Sequence, residues 1–317
     1  MPNQLEELRK FSNLTIQEVD VSRAKSLSAT HTEISSKTIL SLLNELQFTT
    51  ALQKAVNDSR DQRWNGDYAK SIRRNLILNF AKDFNAQLPG QISIELDADL
   101  AFDIEGIINQ ASNIHEQYRY SRASAAQLLI KIPATWEGIT AARELKRKSI
   151  NSHLTMVYSF IQAQAGADAE AEVLSIPVGP TSSWYQTYEP QDYSANDPGV
   201  ATLSHIYTNL KYLGYKTPIR GTEFTSIKQI QQLAGCDQLE LTTLLAQQLQ
   251  QEHSPLERKL DKPADVYERP PAISEKDFRW HLTINAMAHE KLAQDIRELD
   301  MSQYQLDNFI KEKVESL

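Results

Sequence analysis

Short apolar runs alternate with longer amphipathic stretches along nearly the whole chain, and this alternation constrains the fold more than any other feature. The clearest runs are Ile92–Leu96, Leu128–Ile132, His153–Val157 and Val173–Ile176. Weaker ones are Leu14–Gln17, a segment over 29–34, Thr217–Arg220 and Gln238–Leu241. Such runs read as strands buried on both faces. Between them, Ile104–Tyr118, Gly138–Lys148 and Val200–Leu213 carry helical periodicity, and the chain from Phe278 onward is helical throughout. Strand–helix repetition at spacings of roughly 20–40 residues predicts βαβ units and a parallel sheet. Eight strand candidates in 317 residues predict an α/β fold, a (β/α)8 TIM barrel with additional N- and C-terminal helices. No stretch reads as a linker, so residues 1–317 are expected to form one domain. An open doubly wound sheet is disfavoured, because no glycine-rich phosphate loop follows the first strand.

Composition narrows the partners. A formal net charge of −8 disfavours nucleic acid and anionic membrane surfaces, which need a basic face. The single cysteine, Cys236, allows neither an internal disulfide nor a cysteine metal cluster. The first residues are polar and acidic, and no run approaches the ~18 apolar residues of a membrane span. A cytoplasmic location is expected. The histidines are scattered without ligand spacing, so no metal is expected, and no cofactor either.

Strand alternation places polar side chains inside the barrel. Lys131 lies in the middle of Leu128-Leu129-Ile130-Lys131-Ile132, ahead of Pro133. If it points inward, Ile130 and Ile132 face the helices. The same period puts Ser93 and Glu95, His153 and Thr155, and Ser175 inward. Polar groups on successive inward positions are costly unless they meet one another. A lysine in such a cavity is expected to have its pKa lowered by desolvation, which frees an amine for Schiff-base chemistry.

Leu129-Ile130-Lys131-Ile132-Pro133-Ala134-Thr135-Trp136-Glu137-Gly138 resembles the Schiff-base lysine segment of transaldolases. Ile92-Ser93-Ile94-Glu95-Leu96-Asp97-Ala98-Asp99 is similar to that family's acid/base glutamate strand, and Asn151-Ser152-His153-Leu154-Thr155 to a further motif. The resemblance runs from about Leu5 to Leu317 and implies a class I aldolase-type barrel without a cofactor. It implies Lys131 as nucleophile, Glu95 and Thr155 as the pair that positions a catalytic water, and Ser175 near the substrate. Family members of this size are often dimers, which makes a homodimer the assembly to test.

The resemblance fails at a second group of positions. Gln17 stands where the family has the aspartate that accepts a proton during C–C cleavage, and an amide cannot do that work. His31-Thr32-Glu33-Ile34-Ser35-Ser36-Lys37 aligns with an Asp-Ala-Thr-Thr-Asn-Pro-Ser signature, leaving Ser35 in place of a substrate-binding asparagine. His153 replaces another asparagine. Pro180 and Thr225 replace two phosphate-gripping arginines, which removes the bidentate donors that phosphate recognition uses. His153, His31 and Glu33 are candidates to replace the aspartate, the imidazoles because they titrate near neutral pH. Arg220 is a candidate to bind a substrate carboxylate, although a structurally paired arginine is the more common case. The expected substrate is a small carbonyl compound without a phosphate. A silent paralogue that binds a metabolite or a protein is the competing reading, and an ordinary transaldolase is a weaker one.

Overall fold

The computed structural model describes residues 2–17, 31–43, 45–62, 68–87, 90–119 and 125–315. Its sheet contains β1 (Asn13–Gln17), β2 (His31–Ile34), β3 (Gln91–Glu95), β4 (Leu128–Pro133), β5 (Ser152–Thr155), β6 (Val173–Pro177), β7 (Ile219–Thr222) and β8 (Gln238–Thr242). All eight runs read from the sequence are strands, with residues 29 and 30 of the second outside the described part. Every pairing is parallel, in the order β1-β8-β7-β6-β5-β4-β3-β2. β1 and β2 lie side by side across the remaining seam. The sheet therefore curls into a nearly closed (β/α)8 barrel.

The helices form where the sequence periodicity places them, at Ile104–Arg119, Trp136–Arg147 and Pro198–Tyr212. Their starts follow local chemistry. Thr135 caps the second by accepting from Gly138 N at 2.8 Å, and Asp197 caps the third ahead of Pro198. Ile130, Ile132, Leu154, Leu174, Ile219 and Leu239 are all fully buried and pack outward beneath this helical layer. The glutamine-rich turn of Thr243–Gln251 leaves Gln247, Gln248, Gln250 and Gln251 exposed, a solvated helix face. No helix is long and apolar enough to cross a membrane among the described residues.

The helical end of the chain divides at Asn285 into Glu275–Ile284 and a last helix, Ala286–Glu315. This last helix crosses the barrel mouth at the C-terminal strand ends. Its Gln303 accepts from Ala98 N at 2.9 Å and donates to Leu96 O at 2.9 Å, beyond β3. Asp295 accepts from the Tyr158 hydroxyl beyond β5, and Glu290 accepts from Trp184 Nε1 at 2.7 Å beyond β6. Asp307 accepts from the buried Arg73 at 2.8 Å.

Candidate active site

The inward positions of β2 to β8 form one continuous polar network. Lys131 Nζ donates to Glu33 Oε2 at 2.6 Å. Ser93 Oγ lies 3.1 Å from His31 Nε2 and 2.9 Å from His153 Nδ1, and His153 Nε2 lies 2.6 Å from Ser175 Oγ. Arg220 completes the network from β7, reaching Gln238 Oε1 at 2.7 Å and His31 Nε2 at 3.0 Å. Alternation along the strands therefore does bring Lys131, Ser93, His153 and Ser175 to one interior, together with His31, Glu33 and Arg220. Lys131 keeps 23% of its side-chain surface, whereas Arg220 and His153 are wholly enclosed.

The protonation state of Lys131 differs from the sequence expectation. Burial does pull its pKa down, but Glu33, with help from Glu240 and Glu95, more than offsets this and leaves it raised. Lys131 therefore rests as an ammonium paired with a carboxylate. Burial opposes ionisation of Glu33, yet Lys131 and Arg220 hold its pKa below the ordinary value.

The histidines are also unlike the expectation. Burial, then the charge of Arg220, holds His31 and His153 well below the usual imidazole range. Arg220 can only donate, so an imidazolium at His31 would face it without an acceptor. Both are neutral hydrogen-bonding groups rather than near-neutral acids or bases. The two histidines also meet Glu33, with donor atoms within 4.8 Å of one another, although nothing in their sequence spacing signals it. Lys131 and Arg220 already engage these donors, and two fixed cations oppose a third charge of the same sign. We read the cluster as a hydrogen-bond network.

Glu95 stands next to Lys131 in register on β3, and its Oε1 accepts from Ser36 N at 2.8 Å, Ser36 Oγ at 2.6 Å and Gln303 Nε2 at 3.3 Å. Thr155 is buried with a long contact of 3.5 Å to Ile132 O. Neither makes a direct hydrogen bond to Lys131 among the described residues. Ser35 caps the helix Ser36–Leu40, exchanging hydrogen bonds with Thr38. That occupies the side chain read as a substrate contact. Gln17 ends β1 opposite Thr242, and its side chain lies outside the described part.

Beyond β6 and β7 lies a cleft of roughly 480 Å³, lined in part by Pro180, Trp184, Tyr188, Glu223, Thr225 and Lys291. Gly179 donates to Glu223 O at 3.1 Å, and a Cβ at that glycine would sit 2.3 Å from the same oxygen. The close approach locks the two loops together, with Glu223 held at φ +55°. Among the described residues Lys291 is the only cation lining the cleft, and it pairs with Asp295 at 3.2 Å.

Sequence reading missed Glu240. It sits between Leu239 and Leu241 on β8 as Lys131 sits between Ile130 and Ile132, so the same alternation marks it as inward. The groups supplied by the last helix had no such signal.

A family model described as Transaldolase/Fructose-6-phosphate aldolase matches residues 36–310. A transaldolase of Marinomonas sp. (strain MWYL1) is 34% identical over 313 residues, covering 98% of this chain and 99% of the relative. One from Shewanella amazonensis is 33% identical over 316 residues, covering 99% and 100%. Transaldolase A of Escherichia coli (strain K12) is 38% identical over 241 residues, covering 75% and 76%.

Proposed function

Since this chain belongs to the transaldolase/fructose-6-phosphate aldolase family, we propose that it forms a Schiff base between Lys131 and an unphosphorylated carbonyl compound. Aldol addition, retro-aldol cleavage or a related imine reaction at carbon follows. One observation carries this reading: a partly exposed lysine side chain paired with a carboxylate, with no arginine among the described residues that line the cleft beyond β6 and β7. Phosphate is best held by bidentate guanidinium donors. Pro180, Thr225, Trp184 and Tyr188 offer a proline ring, a hydroxyl and two aromatic faces instead.

In the reaction, Glu33 accepts the proton of the Lys131 ammonium, and the freed nitrogen attacks the carbonyl carbon. The proton returns to the carbinolamine hydroxyl, which leaves as water, and the iminium forms with Glu33 as its counter-ion. Glu95 has Oε2 without a partner among the described residues, which leaves it able to hold a water for the later proton transfers. His153 and Ser175 fix the floor of the site. Arg220 is tied to Gln238 and His31, so its role is to hold the network rather than to grip a substrate carboxylate.

A second reading, a silent paralogue, is favoured by the raised pKa of Lys131, because an ammonium is not a nucleophile. Borohydride trapping separates the two. The protein is incubated with neutral, carboxylated and phosphorylated aldehydes and ketones, reduced, and digested for mass spectrometry. An adduct on Lys131 with unphosphorylated compounds is expected. No adduct between pH 6 and about 10 with any of these compounds supports the silent reading. An adduct and turnover with fructose 6-phosphate would restore the ordinary transaldolase.

A further inference from the structure

Glu240 is buried on β8 with no outlet for its charge. Among the described residues its nearest ion-pair partner is Arg220, 3.9 Å from Oε2, and that oxygen has no hydrogen-bond partner there. Arg220 directs its short contacts to Gln238 and His31 instead. From β2, Glu33 Oε1 approaches the same Arg220 nitrogen at 3.8 Å, so the two carboxyls converge on one guanidinium. Lys131 faces the pair from β4, and Glu223 adds negative charge from the loop after β7. On β1 the ladder neighbour of Glu240 is Thr15, which is uncharged. Two enclosed carboxyls that converge on one guanidinium do not both ionise cheaply. Glu33, bonded to Lys131, takes the charge. Burial first, then Glu33, pushes Glu240 up to about 8.

We propose that Glu33 and Glu240 form a carboxyl dyad with one shared proton that governs the protonation of Lys131. The proposal rests on the imine reading above and adds a residue to it. Glu33 is the group that exchanges a proton with Lys131. Glu240 is a positioning residue: by keeping its own proton it holds the dyad at a single negative charge. When Lys131 gives its proton to Glu33, the dyad becomes neutral; when the carbinolamine loses water, Glu33 gives that proton back. No proton is gained or lost overall, and Glu240 retains its own throughout. Once Glu240 ionises, the dyad carries two charges, grips the ammonium harder and suppresses attack on the carbonyl.

The first test needs no substrate. Infrared difference spectroscopy of wild type against Glu240→Gln at pH 7 reads the C=O stretch of a protonated carboxyl. The band is expected in wild type, absent in the variant, and lost from wild type as pH rises through about 8. A difference spectrum without it overturns the dyad. Glu240→Leu gives the same readout should the glutamine variant fold poorly. The second test measures borohydride trapping against pH. Glutamine mimics the protonated acid, so the ratio of variant to wild-type trapping is expected to rise roughly three- to tenfold between pH 6 and pH 9, a shift of up to one pH unit at Lys131. An equal change at every pH would mark a structural role and overturn the proposal. Failure of every carbonyl to trap in wild type would remove the imine reading, while the infrared result would still decide the dyad.

Discussion

Glu33→Gln tests the central ion pair most directly. The substitution keeps the shape and a hydrogen-bond acceptor but removes the anion 2.6 Å from Lys131 Nζ. At an effective dielectric of about 20, unit charges about 4 Å apart interact by about 4 kcal/mol, which corresponds to roughly 3 pH units. Glu240 responds in the opposite sense. Freed from the repulsion of Glu33, it ionises more readily and restores part of the field. The net expectation is that the pH midpoint of borohydride trapping at Lys131 falls by about 1–2 units. The limiting rates of trapping and of turnover should both fall, by roughly 10²- to 10⁴-fold, since an amide can neither accept the ammonium proton nor return it to the carbinolamine. Near-ultraviolet circular dichroism controls for folding, because removing one member of a buried pair costs about 3–5 kcal/mol. A midpoint that stays in place or rises would refute the claim that Glu33 sets the charge on Lys131. Unchanged turnover would remove its role as proton acceptor.

Three further outcomes follow from the same geometry. Glu240 has a folded pKa of about 8 against an ordinary value of 4.5, so the folded chain holds a proton that the unfolded chain has released between those limits. Its contribution to stability therefore erodes as pH rises through that window, and the melting temperature of Glu240→Gln relative to wild type should climb from pH 5 to pH 8; a flat difference would contradict the shift. His153→Ala removes an enclosed imidazole, takes from Ser175 its hydrogen-bond partner and leaves Ser93 with His31, so chemical denaturation should show a loss of about 2–4 kcal/mol, with Lys131 trapping retained in the folded fraction. Thr225→Arg places a guanidinium at the cleft and should raise trapping of phosphorylated over unphosphorylated carbonyls by about tenfold or more, since one charge-assisted hydrogen bond is worth about 1.5–3 kcal/mol; no change in that ratio would mean that phosphate recognition lies elsewhere.

The barrel was legible because two periods are strong in this chain. Runs such as Leu128–Ile132 and Val173–Ile176 are too apolar to be anything but enclosed, and the helices between them carry their own period and caps. The same alternation gave the inward faces of β3 to β6. Charge states were not legible, because they depend on which inward groups face each other across the barrel. Lys131 is 98 positions from Glu33 and Arg220 is 189 from His31, and no local pattern reports such meetings. Desolvation alone lowers a lysine, and only the three-dimensional partner reverses the sign. Gln303 and Asp295 were hidden for another reason. A solvated helix carries many polar residues, and its sequence does not mark which ones turn toward a barrel mouth.

The choice between enzyme and silent paralogue turns on what a stable barrel would put in these positions. Ordinary barrel interiors are filled by branched apolar side chains. Here Glu33, Glu95, Lys131, Arg220 and Glu240 occupy the interior with two imidazoles. Replacing a buried ion pair by apolar groups of similar volume is often neutral or stabilising, so stability alone does not call for this arrangement. A network retained only as packing would enclose every member and satisfy every polar atom. Arg220 meets that description, being enclosed and bonded to Gln238 and His31. Lys131 and Glu240 do not. The lysine keeps 23% of its side-chain surface, and the glutamate keeps an oxygen with no hydrogen-bond partner among the described residues. Both departures lie around Glu33, where a proton must leave nitrogen and return to oxygen if an imine is to form. Their position is costly for a scaffold and useful for a reaction.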